Sequence, residues 1–94
     1  MSLKFDFIVV GAGTAGCLLA NRLSANGKYS VALLEAGGSD NYHWVHIPVG
    51  YLYCMGNKRT DWLFKTTAQN GLNGRSLNYP RGKVMGGCSS INGM

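Results

Sequence analysis

The feature that most constrains this chain is a hexapeptide, Gly11-Ala12-Gly13-Thr14-Ala15-Gly16, set between two segments of different hydrophobic period. Before it, Phe5-Asp6-Phe7-Ile8-Val9-Val10 is a short run of aromatic and β-branched residues, which reads as a buried strand. After it, Ala15, Leu18, Leu19 and Leu23 fall at helical spacing, while Asn21, Arg22 and Ser24 face outward. Asn26-Gly27 supplies a helix stop. Ser30-Val31-Ala32-Leu33-Leu34-Glu35 is a second apolar strand, ended by Ala36-Gly37-Gly38. Strand, helix and strand within residues 5–36 predict an α/β fold that opens with a Rossmann-like βαβ unit. Its strands should be parallel and its crossover right-handed.

In that setting the three glycines have separate tasks. Gly11 allows a tight turn out of the strand, Gly13 lets backbone approach a pyrophosphate, and Gly16 lets helix pack on strand. Phosphates would then lie at the helix N-terminus, where free N–H groups and the helix dipole favour negative charge. Glu35 follows Gly16 by 19 positions, close to the roughly 20 expected for an acidic ribose ligand. A carboxylate there accepts hydrogen bonds from ribose hydroxyls and repels a 2′-phosphate, which disfavours NADP. The motif does not separate FAD from NAD, since both carry an adenosine diphosphate half. An NAD-dependent dehydrogenase and a non-catalytic nucleotide-binding module therefore stay open at this point.

The remainder divides by composition. Residues 37–60 mix Tyr42, Trp44, Tyr51 and Tyr53 with Pro48, Gly50 and Gly56 without a clear period, and read as irregular with a short helix near Val49 to Met55. Asp61 to Thr67 and Ser76 to Tyr79 read as two strands of a hairpin spanning 61–79. Asn70-Gly71-Leu72-Asn73-Gly74 between them tolerates positive φ. Residues 80–94 form a glycine-rich loop leading into a helix. The nine Lys and Arg residues are scattered, with only Lys58-Arg59 adjacent, so the net charge of +5 does not point to nucleic acid. Three cysteines, Cys17, Cys54 and Cys88, match no zinc or disulfide framework, and reduced thiols suit a cytoplasmic or membrane-peripheral protein. The glycines after Val10 interrupt any signal-peptide core, and no apolar stretch approaches the roughly 20 residues of a membrane span.

The second glycine cluster carries more specific chemistry. Gly86-Gly87 followed by Ser89, Ser90 and Asn92 offers bare backbone N–H groups and short polar side chains, which can cradle an anion or the polar edge of a ring. Arg81 and Lys83 add positive charge beside it. Ser89 and Ser90 suit helix caps equally well, Arg81 suits an ion pair, Trp62 suits core packing, and Cys88 suits a small buried residue.

The stretch Tyr79-Pro80-Arg81-Gly82-Lys83-Val84-Met85-Gly86-Gly87-Cys88-Ser89-Ser90-Ile91-Asn92-Gly93-Met94 resembles the first hallmark segment of the glucose–methanol–choline oxidoreductase family, in its choline dehydrogenase and alcohol dehydrogenase branch. The resemblance covers the whole chain, including Asp61-Trp62 with the following Thr66. It implies a cofactor site for non-covalent FAD made by Gly11, Gly13, Thr14, Ala15, Gly16, Glu35, Ala36, Trp62, Arg81, Gly82, Val84, Gly86, Gly87, Ser90, Asn92, Gly93 and Met94. The loop would run along the pyrophosphate and under the isoalloxazine, with Asn92, Gly93 and Met94 near the reactive ring. Some choline oxidase-like members attach the flavin through a histidine at the position of Ile91, and isoleucine has no nucleophilic atom. The implied reaction is oxidation of a primary alcohol by hydride transfer to flavin N5, with oxygen or a quinone-type carrier as the electron acceptor. The family's base is a histidine far C-terminal of this segment. His43 and His46 are the only histidines here and match neither position. No catalytic or metal-ligating residue is therefore assigned, and the chain reads as the N-terminal part of a longer enzyme that lacks the rest of its FAD domain and its substrate domain.

Overall fold

The computed structural model describes residues 2–93. Strand β1 is Phe7–Val10, helix α1 is Thr14–Ser24 and strand β2 is Val31–Leu34. β1 and β2 pair in parallel, with Phe7 opposite Val31 and Val10 opposite Leu34. This is the βαβ unit that the change of period predicts. The Gly11 N–H extends the ladder one step, donating to the Leu34 carbonyl at 2.7 Å. Gly11 then turns out of the strand at φ +99°, a region that glycine enters freely. A Cβ on Gly16 would collide with the Gly11 carbonyl oxygen, so close packing of helix on strand needs glycine there.

The aromatic segment folds into two single 3-10 turns, His43–His46 and Pro48–Gly50, which run into the short helix α2, Tyr51–Cys54. Trp44 stacks on Tyr53 with ring centroids 4.1 Å apart. Cys54, Val84 and Ile91 form a small buried cluster, with Tyr42, Trp44 and Val45 packed against it. Burial pushes the Cys54 thiol above its ordinary pKa, against a smaller opposing contribution from Thr60, so this cysteine is a packing group. The hairpin consists of β3, Phe64–Lys65, and β4, Asn78–Tyr79, which are antiparallel. It is shorter than residues 61–67 and 76–79 suggest.

The glycine-rich loop from residue 80 contains one 3-10 turn, Gly87–Ser90. Gly86 at φ +96° and Gly87 at φ +61° turn the chain into it. The Ser90 hydroxyl donates to the Met85 carbonyl at 2.9 Å. Among the described residues, no helix is long and apolar enough to cross a membrane.

Candidate functional site: a nucleotide cavity between two glycine clusters

The two glycine clusters, some seventy positions apart in the chain, meet in space. The Gly86 N–H donates to the Ala12 carbonyl at 2.6 Å. A Cβ on Gly87 would come within 2.9 Å of the Gly13 Cα. The Met85 N–H donates to the Gly38 carbonyl at 2.9 Å, and Val84 bridges Gly38 in parallel. The second loop therefore lies along the continuation of β2. Its other edge bridges Asp61 through Gly82, which brings the hairpin alongside.

These contacts enclose an open cavity of about 670 Å³. Of the residues expected to hold a cofactor, Gly11, Gly13, Glu35, Ala36, Trp62, Arg81, Gly82 and Gly87 line it. α1 starts beside it with no side-chain cap on its first turn and no acidic residue there. Its first backbone bond is Cys17 N–H to the Gly13 carbonyl, 2.9 Å, so the N–H groups of the turn before Cys17 have no intrahelical partner. Gly13 has φ −80° and ψ −169°, extended backbone that any residue adopts. A Cβ there would meet no protein atom within 4 Å. Glycine at this position answers to the space in front of it. That space, beside uncapped N–H groups, fits a pyrophosphate.

Glu35 does more than face the cavity. Its Oε2 accepts the Ala12 N–H at 2.9 Å, and its Oε1 accepts the Gly37 N–H at 2.8 Å. The carboxylate thus ties the glycine turn to the end of β2 and keeps further lone pairs for a ribose. Arg81 lies over the Tyr79 ring, its guanidinium carbon 3.8 Å from the centroid, and Lys83 caps Trp62 at 4.7 Å. Both cations are held by aromatic faces, and of the two Arg81 lines the cavity.

Other expected contacts fall elsewhere. Thr14 and Ser89 hydrogen-bond each other through their hydroxyls, which joins α1 to the second loop. Ala15 lies on the exposed side of α1, and Gly16 packs on Gly11. Val84 is 1% exposed and belongs to the core, so its side chain does not reach the cavity. Gly86 packs against Ser90, and Ser90 itself is spent on Met85. Asn92 and Gly93 are exposed, with Gly93 close to the Tyr51 ring. Met94 lies outside the described residues. Val10, Leu34, Phe64 and Cys88 complete the wall and are not part of the sequence-derived set. Phe64 is not foreshadowed by its position two residues after Trp62, because Leu63 between them is left-handed at φ +63° and not extended. Cys88 takes the Gly82 N–H on its sulfur at 3.4 Å, a structural contact. His43 and His46 do not line the cavity.

A family model described as lycopene cyclase protein matches residues 6–58. That segment is the βαβ unit with its aromatic extension, so the match speaks to the first glycine motif and stops before the second. Whole-chain relatives include both. The oxygen-dependent choline dehydrogenase of Vibrio vulnificus (strain YJ016) is 53% identical over 94 residues, 100% of this chain and 17% of that protein. The alcohol dehydrogenase [acceptor] of Pseudomonas putida is 52% identical over 90 residues, 96% of this chain and 16% of that protein. The crystal structure of pyridoxine 4-oxidase from Mesorbium loti superposes with a TM-score of 0.90 at 36% identity, over 97% of this chain and 18% of that one. The chain belongs to the glucose–methanol–choline oxidoreductase family. It spans about one sixth of the length of the curated relatives it matches. In this family setting, the contact between the Gly11–Gly16 turn and the Gly82–Gly87 loop is the junction of the two family motifs.

Proposed function

We propose that this chain forms the adenosine and pyrophosphate end of a non-covalent FAD site in an enzyme that oxidises a primary alcohol, choline-like or other. The observation that carries the reading is Gly13, which faces the cavity beside uncapped helical N–H groups, with Glu35 on the same wall. The names of the relatives, a choline dehydrogenase, an alcohol dehydrogenase and a pyridoxine 4-oxidase, support the substrate class. Bound FAD would supply the acceptor, at N5, for a hydride leaving the alcohol carbon. The residues here bind and orient. The N–H groups of α1's first turn hold phosphate, Glu35 holds ribose, and Trp62 and Phe64 cover an apolar face. The 82–87 loop closes the cavity wall, its N–H groups at Lys83, Met85, Gly86 and Gly87 being already donated to protein carbonyls. The proton of the alcohol would pass to a base supplied by another part of the full-length enzyme, and oxygen or a quinone-type carrier would serve as the electron acceptor. Ile91 is 1% exposed and packed with Val84 and Cys54, which supports non-covalent binding.

The test is to purify the protein in its full natural length and identify what heat releases. FAD in the supernatant is the expected result, and FMN or no flavin would sink the reading. Acid precipitation should leave a colourless pellet and a yellow supernatant. A yellow pellet would reveal a covalent link.

Glu35→Ala is expected to weaken FAD binding at least tenfold. Its carboxylate supports two backbone donors and the ribose, and losing one charge-assisted bond costs about 1.5–3 kcal/mol. Glu35→Gln should fall between, because an amide offers one oxygen acceptor where the carboxylate offers two. Titration of apoprotein with FAD measures both, and an unchanged affinity for Glu35→Ala would remove Glu35 from the site.

A further inference from the structure

Asp61 lies at the crossing of three segments and is 4% exposed. Its Oδ2 accepts the Gly56 N–H at 2.7 Å, and its Oδ1 accepts those of Leu63 at 2.9 Å and Arg81 at 3.2 Å. Burial disfavours its charge, yet these three donors outweigh that penalty and hold the carboxyl below its ordinary pKa. Two residues further on, Leu63 has φ +63°, a left-handed conformation that a branched side chain adopts only under constraint. On either side of it, the Trp62 and Phe64 rings lie with centroids 5.8 Å apart and planes 2° from parallel. Both rings line the nucleotide cavity, and so does Arg81. The Trp62 N–H also donates to the Arg81 carbonyl at 3.0 Å.

We infer that Asp61 is a positioning residue for the nucleotide cavity: its carboxylate locks the left-handed turn at Leu63, which sets Trp62 and Phe64 side by side on the cavity wall and holds Arg81 next to them. The inference rests on the reading of that cavity as the FAD site. A carboxylate that merely satisfied a buried loop would not need a strained leucine between two co-aligned rings. The strain gives the test its handle, because glycine occupies positive φ without help.

Four variants of the full-length protein decide it: Asp61→Asn, Leu63→Gly, the double variant, and Leu63→Val. FAD affinity of the apoprotein is the first readout, and near-UV circular dichroism of the aromatic rings is the second. Asp61→Asn turns an amide NH2 toward one of the three donors and should weaken FAD binding roughly tenfold, with loss of the ring signal. Leu63→Gly alone should change affinity by less than about threefold. The double variant should recover most of the affinity and most of the ring signal lost in Asp61→Asn. Equal losses in the leucine and glycine backgrounds would overturn the inference. Should Asp61→Asn prove insoluble, Leu63→Val carries the test. It disfavours positive φ with the carboxylate intact, so a weakening of roughly fivefold is expected, and unchanged affinity overturns the inference. If the wild-type protein takes no FAD, the FAD reading fails by itself. The ring signal still reports on Asp61, and its persistence in Asp61→Asn counts against the positioning role.

Discussion

Gly13→Ala and Gly82→Ala are expected to damage this protein in different ways, although both glycines sit on the same cavity. Gly13 already has alanine-compatible dihedrals, and the space for its Cβ holds no protein atom within 4 Å. The alanine variant should melt within about 0.5 kcal/mol of wild type. Its methyl group enters the space proposed for the pyrophosphate, and overpacking of about 1–3 kcal/mol lowers FAD affinity some tenfold to a hundredfold. Gly82 has the reverse problem. A Cβ there overlaps the Gly87 carbonyl and approaches the Cys88 nitrogen, both of them backbone. The backbone at Gly82 and at Gly87–Cys88 must separate, which springs the second loop open from within, at a cost of about 3 kcal/mol or more. The Gly82→Ala protein should therefore lose stability first and flavin as a consequence. Thermal melts of the apo forms separate the two, and equal apo stabilities would show that Gly82 serves the cofactor directly.

That contrast marks where sequence reading works on this chain and where it runs out. β1, α1 and β2 are legible because the apolar period changes from a continuous run to a helical spacing and back, with glycine at each boundary. Glu35 is legible because it closes the second strand at the right distance from the turn. Its bonds to Ala12 and Gly37 are not, since they depend on the turn's three-dimensional closure. The docking of the 82–87 loop on the Gly11–Gly16 turn is likewise silent in the sequence. It is made by backbone against backbone, Gly86 to Ala12 and Gly87 over Gly13, and such contacts leave only glycines behind as a trace. The glycines of the second loop thus read as cofactor contacts when part of their purpose is packing. In the hairpin, the stretch holds two Asn-Gly pairs, and Asn73-Gly74 is the one that takes positive φ, at +56° and +73°. Asn70–Leu72 instead form a 3-10 turn. Leu63 shows the same limit, because nothing in a leucine announces a left-handed backbone; the cause is a carboxylate two residues earlier.

Residues 1–94 expressed alone are expected to show no cooperative melt and no alcohol oxidation. The βαβ unit presents parallel strands, which are stable when covered on both faces. Here Val10 is 82% exposed and Ile8 62% exposed, so one face of β1 lies open. The buried hydrophobic residues are Val9, Ala12, Cys54, Val84 and Ile91, divided between the βαβ unit and the cluster under the second loop. A compact domain of this length has a radius of gyration of about 12 Å, whereas this chain has 16.5 Å and extends 54 Å along its long axis. Its loops and sheets are held to one another through backbone hydrogen bonds, whose net worth is about 1 kcal/mol each, with little apolar burial to offset the ordering entropy. FAD could add stability by mass action, but only through the end of the cofactor that this segment grips. Catalysis is expected to fail for a separate reason: the family resemblance places its base at neither His43 nor His46, the two histidines of this segment. Circular dichroism melts with and without FAD, together with dye-linked alcohol oxidation, test both halves. A sharp melt accompanied by turnover above free flavin would mean that these 94 residues carry a core and a base that their structure does not reveal.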